Sequence, residues 1–221
     1  MSIIQNFLNL KNSIPSDVKL VAVSKFKPEA LIRELYDGTA HLAFGENRAR
    51  EMATKHELLP QELEWHFIGH LQTNKVRLIV PFVKLIQSVD SLKLLAEINK
   101  ESLSCGRITD VLLQFHIATE ETKFGLSIGE THELLSSEAY KSMNHVRICG
   151  LMGMASFSDE QSLVRKEFNS LRMYFEELKR TYFSGSAAFK EISMGMSGDY
   201  RIAIDEGSSI VRIGSLIFGK R

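Results

Sequence analysis

Short apolar runs alternate along the chain with longer segments in which apolar residues recur every three or four positions. The short runs predict β-strands and the longer segments predict amphipathic helices, because side chains share a face every second residue in a strand and about every 3.6 residues in a helix. The predicted strands span residues 19–25, 41–47, 64–70, 84–90, 110–118, 146–155, 190–196 and 209–218. The predicted helices span residues 28–37, 48–59, 73–79, 91–104, 127–138, 159–182 and 198–206, with a further N-terminal helix at about 2–12.

The order of these elements predicts the fold. Eight strands, each but the last followed by a helix, form the pattern of a closed parallel barrel. We therefore predict an α/β fold, a single-domain (β/α)8 TIM barrel over residues 1–221, in which the helix at about 2–12 could supply the missing eighth helix. An open doubly wound sheet is the alternative, but the first strand is not followed by the Gly-rich turn of dinucleotide-binding proteins.

Composition excludes several classes of partner. The 221 residues include 27 basic and 27 acidic side chains, and this balance predicts no nucleic-acid partner. No apolar run approaches membrane-spanning length, and the N-terminus lacks a signal-peptide pattern, so we expect a cytoplasmic protein without a membrane partner. The two cysteines lack metal-ligand spacing. His66 and His70 would lie about 13 Å apart on one strand, too far for one ion, so no metal site is predicted.

Lys25 ends the first predicted strand, directly before the helix that begins at Pro28. It shares a face with Val21 and Val23, because alternate side chains of a strand point the same way. By spacing alone, the favoured interpretation is that its charged end reaches water. The alternative is a lysine held for its amine, at the carboxyl end of a strand where such barrels place their chemistry. Lys27 is the rival amine, but its position outside the apolar run suggests a solvated side chain.

The last two predicted strands end in residues suited to an anion. Ser197 is predicted to be the N-cap of the helix at 198–206, which leaves its hydroxyl and the following N–H groups available. Gly214 and Ser215 form a small-residue turn after the last strand, and the loops after strands seven and eight commonly bind phosphate in this fold. A capping serine and a tight turn without a ligand are the alternative. Asp199 counts against phosphate, because its carboxylate competes for the same helix dipole.

Arg212 lies in an apolar strand, and a guanidinium that keeps its charge requires an acceptor such as a ring nitrogen or a carboxylate. Together with Lys25 and a phosphate site, it favours a phosphorylated aldehyde as the ligand. Burial and a nearby arginine favour the neutral, nucleophilic form of such a lysine. Lys123, in the loop after the fifth strand, is a further candidate for attracting an anion, although a plain surface charge is the simpler interpretation.

Seven segments of the chain together resemble one known family. They are VAVSKFKP, FGEN, WHFIGHLQTNK, ETKFGL, GLMGMA, SMGMSGDY and VRIGSLIFG, and they occur in order over nearly the whole chain. The chain resembles the pyridoxal phosphate homeostasis protein family, whose barrel is related to the N-terminal domain of bacterial alanine racemase, a fold-type III arrangement. The resemblance implies that Lys25 holds pyridoxal 5′-phosphate (PLP) as an aldimine. It further implies the following cofactor-binding residues: Ser197, Gly214 and Ser215 for the phosphate, Arg212 for the pyridine nitrogen, and Asn47 and Met152 for the ring pocket.

The expected function is PLP binding, with buffering and delivery of the cofactor in vitamin B6 and amino-acid homeostasis. An arginine at the pyridine nitrogen disfavours its protonation and weakens the ring as an electron sink. The chain also ends with the eighth predicted strand, without the second domain that completes a racemase site. We therefore expect a carrier, with apo forms of PLP-dependent enzymes as possible partners, and a monomer. A weak amino-acid racemase and a cofactor-free lysine aldolase are the alternatives.

Overall fold

Eight parallel strands close into a barrel within residues 2–119 and 124–219, the part of the chain that the computed structural model describes. The strands are β1 Lys19–Val23, β2 Ala43–Glu46, β3 Glu64–Phe67, β4 Leu85–Val89, β5 Thr109–Phe115, β6 Val146–Gly153, β7 Glu191–Ser193 and β8 Ile210–Ile213. Each strand pairs with its neighbour in sequence, and β8 pairs with β1 from Lys19↔Ile210 to Ala22↔Ile213. The predicted closed barrel is confirmed, and the open sheet is excluded.

Helices surround the barrel, because the outward face of each strand is apolar and has to be covered. They are α1 Ile3–Asn12, α2 Glu29–Thr39, α3 Ala49–Leu58, α4 Val76–Ile79, α5 Leu92–Ser104, α6 Ile128–Ser136, α7 Glu138–Lys141, α8 Gln161–Tyr182, α9 Tyr200–Asp205 and α10 Ser215–Phe218. The predicted stripe of α8 is buried at Val164, Phe168, Leu171, Phe175 and Leu178. No helix in residues 2–119 and 124–219 combines the length and apolar character that crossing a bilayer requires.

The barrel contains two separate apolar layers. Most of the core lies between strands and helices, where Phe44, Trp65 and Phe168 are fully buried. A smaller cluster fills the barrel interior and includes Val21 and Met152. The interior also holds buried polar side chains from four strands: His66, Gln87, Ser193 and Arg212. The barrel interior is therefore polar along part of its axis, and these four side chains form a hydrogen-bonded series between its two ends.

The end of the chain differs from the prediction. The run 209–218 was expected to be one strand, but β8 ends at Ile213 and residues Ser215–Phe218 form the short helix α10. A short apolar run does not distinguish a strand from a buried helix. The sequence pattern therefore could not predict the boundary between β8 and α10. Helix α1 packs against α10, and Nδ2 of Asn6 donates to the carbonyl oxygen of Ile217 at 3.2 Å. The expectation of a monomer rests on a missing eighth helix and loses that support.

Candidate functional site

A cavity of about 600 Å³ opens at the carboxyl ends of the strands. Six of the seven residues predicted to bind a cofactor line it: Lys25, Asn47, Ser197, Arg212, Gly214 and Ser215. They come from the ends of β1, β2, β7 and β8, which the barrel brings to one mouth although they are distant in sequence. This volume lies within the usual range for small-molecule sites.

The turn that carries Lys25 is held in an unusual backbone conformation. Phe26, the next residue, has a φ of 62°, in the left-handed region that side chains other than glycine rarely adopt. Its N–H donates to Oε1 of Glu51 on α3 at 2.7 Å, and the guanidinium of Arg48 lies 4.6 Å from the centre of its ring. These contacts fix the turn and thereby the direction in which Lys25 leaves the barrel.

Lys55 supports the same turn from beneath. Its side chain is 2% exposed, and Nζ donates to the carbonyl oxygen of Ser24 at 2.9 Å. Nζ also lies 2.7 Å from Oε1 of Glu46 and 2.7 Å from Oε1 of Glu51. Burial raises the pKa of Glu46 to about 7, and Lys55 opposes this shift. The cluster of Ser24, Glu46, Glu51 and Lys55 was missed by the sequence analysis, although the Glu of FGEN and a lysine on the α3 face were available signals.

Lys27 also lines the cavity, but its amine has a structural role. Nζ donates to the carbonyl oxygens of Phe218 at 3.1 Å and Gly219 at 3.3 Å, at the end of α10. Lys27 is half-buried, and this contact was not predicted because the helix that its amine meets was itself not predicted. Lys123, the other lysine considered for the mouth, lies outside the described residues.

Arg212 is 4% exposed and projects from β8 into the barrel. Nη1 donates to Oγ of Ser193 at 2.6 Å, and Nη2 donates to the carbonyl oxygen of Gly153 at 3.0 Å. Burial lowers the pKa of the guanidinium to about 10, which still leaves it charged at neutral pH. Its acceptors here are a hydroxyl and a carbonyl, both neutral, so a positive charge remains at the base of the cavity.

The loops after β7 and β8 present hydrogen-bond donors to the cavity. The predicted N-cap is wrong, because α9 begins at Tyr200 and its N-cap residue is Asp199. Oδ1 of Asp199 accepts from the N–H of Met196 at 2.5 Å, which turns this oxygen back towards its own loop. Within the described residues, the N–H groups of Ser197 and Gly198 donate to no protein acceptor. They are therefore available to a ligand oxygen.

Gly214 brings the end of β8 against the end of β1. A Cβ at this position would lie 2.9 Å from the carbonyl oxygen of Val23 and 3.2 Å from its Cβ. Only glycine permits this close approach without movement of the strands. The turn at Gly214 and Ser215 therefore lies beside the turn that carries Lys25.

Asn47 and two methionines complete the wall of the cavity. Oδ1 of Asn47 is buried and has no hydrogen-bond partner within residues 2–119 and 124–219. Buried oxygens are normally hydrogen-bonded, so this atom indicates a missing partner in the cavity. Met152 is fully buried in the barrel interior and does not line the cavity, whereas Met154 and Met196 do.

These residues fit PLP on the evidence of their own chemistry. Lys25 would supply an amine for the aldehyde, and the N–H groups of Ser197 and Gly198, which line the same cavity, would bind the phosphate. Arg212 supplies a fixed positive charge, and the unpaired oxygen of Asn47 supplies an acceptor. An amine, an oxyanion cradle and a guanidinium in one barrel mouth define the class: a barrel with the cofactor-site chemistry of fold-type III PLP proteins.

Comparison with known proteins identifies the family. The family model for the alanine racemase N-terminal domain matches residues 1–221. The pyridoxal phosphate homeostasis protein of Aquifex aeolicus is 41% identical over 204 residues, which cover 92% of this chain and 87% of that protein. The chain belongs to the pyridoxal phosphate homeostasis protein family.

Solved structures agree with this assignment. PipY of Synechococcus elongatus, 32% identical, superposes with a TM-score of 0.91 without PLP and 0.88 with PLP bound. In both comparisons 99% of this chain and 100% of that chain are covered. Alanine racemase of Clostridium difficile, at 16% identity, shares the fold with a TM-score of 0.80, covering 100% of this chain and 57% of that chain. The predicted relation to the alanine racemase barrel is confirmed.

Proposed function

We propose that this protein binds PLP in the cavity at the carboxyl ends of the strands, and that Nζ of Lys25 forms an aldimine with its aldehyde. The observation that carries the proposal is the presence of Lys25 and the unpaired N–H groups of Ser197 and Gly198 in one cavity. When bound, PLP supplies an electrophilic aldehyde and a ring that can accept electrons.

The remaining residues have distinct roles in this proposal. Ser197, Gly198, Gly214 and Ser215 hold the phosphate through N–H and hydroxyl groups. Asn47 and Met154, which line the cavity, position the ring. Arg212 donates a hydrogen bond to the pyridine nitrogen. Because the guanidinium keeps its own proton, the pyridine nitrogen remains unprotonated and acts as the acceptor.

We further propose that the protein carries PLP and transfers it to apo forms of PLP-dependent enzymes. Arg212 argues against efficient amino-acid chemistry, because a ring nitrogen that accepts from a charged guanidinium is less readily protonated. An unprotonated ring withdraws electrons weakly from a substrate carbon. The described role of the Aquifex aeolicus protein, given by its name, is PLP homeostasis.

The aldimine is tested by spectroscopy on three proteins. Wild type mixed with PLP should develop the visible absorption of an internal aldimine, and borohydride followed by peptide mass spectrometry should place the reduced adduct on Lys25. Lys25→Ala should lose both signals. Lys27→Ala is the matched control and should keep the adduct, because its amine contacts α10. An adduct on Lys27, or a full band in Lys25→Ala after borohydride, would contradict the assignment.

The carrier role is tested separately from binding. Holo-protein should reactivate an apo PLP-dependent enzyme after free PLP has been removed by gel filtration. Incubation with single L-amino acids in deuterium oxide should leave chirality and the Cα proton unchanged. Stereochemical turnover that is lost in Lys25→Ala would instead establish the racemase alternative.

A further inference from the structure

A second cavity, of about 490 Å³, lies at the amino-terminal mouth of the barrel. Its lining includes Lys19, Glu191 and Ile210, which are the first residues of β1, β7 and β8. The cavity is therefore at the opposite end of the barrel from Lys25. None of the residues proposed to bind PLP lines it.

Basic side chains outnumber acidic ones around this cavity. Four cationic residues line it: Lys19, Lys84, Arg147 and Lys190. Two carboxylates, Asp110 and Glu191, also line it, and Glu64 adjoins it as the shared partner of Lys19 at 3.2 Å and Lys84 at 3.5 Å. Three carboxylates against four cations leave one positive charge.

Two charged groups of this cavity make no ion pair with any described residue, Lys190 and Glu191. Arg147 pairs with Asp110, with contacts of 2.6 and 3.0 Å, and Glu64 is the shared partner of Lys19 and Lys84. Within residues 2–119 and 124–219, Lys190 makes no ion pair. Its ammonium group is therefore available at the rim of the cavity.

His66 presents a buried donor to the same cavity. The residue is 1% exposed and lines the cavity, and its Nε2 has no hydrogen-bond partner among the described residues. Burial and the nearby Lys19 lower the pKa of His66 to about 3, so the ring is neutral at physiological pH. A neutral imidazole carries its proton on one nitrogen only, and the tautomer decides whether Nε2 donates or accepts.

A chain of hydrogen bonds along the barrel axis determines this tautomer. Arg212 can only donate, so Oγ of Ser193 accepts from Nη1 at 2.6 Å and uses its own proton towards Oε1 of Gln87, also at 2.6 Å. Nε2 of Gln87 is then the donor to Nδ1 of His66, at 3.0 Å. Because Nδ1 accepts, the ring proton is on Nε2. With the Gln87 amide in this orientation, the chain of hydrogen bonds that begins at Arg212 leaves an N–H donor at the other end of the barrel.

We propose that the cavity at the amino-terminal mouth is a second ligand site, which binds the oxyanion of a small molecule between Nε2–H of His66 and the ammonium group of Lys190. The oxyanion is a carboxylate or a phosphate, since both accept from an N–H and an ammonium group. The apolar part of the wall is formed by Leu85, Cys149, Ala187, Ala188 and Ile210, and the volume of the cavity suits a compact ligand.

The test follows His66 directly by NMR. The full-length protein, labelled with ¹⁵N at histidine, is titrated with sodium acetate and separately with inorganic phosphate, with sodium chloride at matched ionic strength as the salt control. We expect a saturable shift of the Nε2 resonance of His66 with at least one of the two oxyanions. His132, whose ring nitrogens contact Tyr182 and Glu177, is the internal control. The preferred probe distinguishes a carboxylate ligand from a phosphate ligand.

Two lysine variants locate the site. Lys190→Gln should weaken the saturable binding by roughly tenfold, the loss expected for one charge-assisted hydrogen bond. Lys100→Gln, on the exposed surface of α5, should leave it unchanged. A His66 shift that sodium chloride reproduces, or saturable binding that Lys190→Gln does not weaken, would overturn the proposal. Neither result decides PLP binding, because Lys190 and the other residues that line this cavity are not among those proposed to bind PLP.

Discussion

Nζ of Lys55 lies 2.9 Å from the carbonyl oxygen of Ser24, the residue that precedes Lys25. The amine of a buried lysine thus anchors the backbone from which the proposed PLP lysine projects. The same ammonium group neutralises Glu46, which is fully buried. A single side chain therefore contributes both to the stability of the barrel and to the position of its candidate site.

Replacing Lys55 should be strongly destabilising. Lys55→Met removes one partner of a buried ion pair and leaves Glu46 and the Ser24 carbonyl without their donor. Such losses typically cost about 3–5 kcal/mol, reduced to the extent that Glu46 takes up a proton. Urea denaturation measures the change, with Lys141→Met on the exposed end of α7 as the control. A variant as stable as wild type, with unchanged PLP absorption, would show that the cluster does not hold the turn.

The stability of the protein should depend on pH through Glu46. Its pKa is raised from 4.5 to about 7 in the folded state, so the folded protein binds more protons than the unfolded chain between these values. Protonation of Glu46 therefore favours the folded state. This contribution to the free energy of unfolding, roughly 3 kcal/mol, is fully present below pH 4.5 and is lost as the pH rises to 7.

Glu46→Gln isolates this contribution. The amide keeps an oxygen that accepts from Ser24 and Lys55, but it does not titrate. The stability of the variant relative to wild type should therefore rise from pH 4.5 to pH 7. The difference between the two proteins cancels the opposite effect of His41, whose pKa burial lowers to about 4. Urea midpoints at several pH values measure the difference. A constant difference would rule out titration of Glu46 in this range.

Gly214→Ala should impair the cofactor cavity. The added Cβ would lie 2.9 Å from the Val23 carbonyl oxygen, so β1 and β8 must move apart at the mouth. Strain of this kind costs about 1–3 kcal/mol, and we expect PLP affinity to fall at least tenfold in a spectroscopic titration. Gly129→Ala is the control, because a Cβ there meets no atom within 4 Å. Equal affinities for the two variants would place the phosphate away from Gly214.

Ser193→Ala should disconnect the two ends of the barrel. It leaves Nη1 of Arg212 and Oε1 of Gln87 without their shared hydroxyl, at a cost of roughly 1–3 kcal/mol. Gln87 is then free to flip its amide, so the His66 tautomer is no longer determined by Arg212. We expect a changed His66 ¹⁵N spectrum and an altered PLP absorption spectrum. Ser170→Ala on the surface of α8 should change neither, and an unaltered His66 spectrum in Ser193→Ala would show that the chain does not set the tautomer.

The alternating pattern determined the barrel and the mouth at which Lys25, Ser197, Gly214 and Ser215 meet. Each of these residues follows a buried strand, and the carboxyl ends of parallel strands necessarily share one end of the barrel. Position along a single strand was sufficient for these predictions. It was also sufficient for the long helix α8, whose apolar stripe extends over many turns.

Only the tertiary structure decided how residues of different strands meet. The register of β5 and β6 shifts between Val111 and Leu112, next to Gly150, where a Cβ would overlap the Glu191 carbonyl. Met152 is buried and Met154 lies at the cavity because of the strand register and the position at which β6 ends. No local sequence pattern specifies either of these. The run from Arg212 through Ser193 and Gln87 to His66 likewise depends on four strands at once. Strand periodicity is a local property of the chain, whereas register and hydrogen-bond direction arise only when the barrel closes.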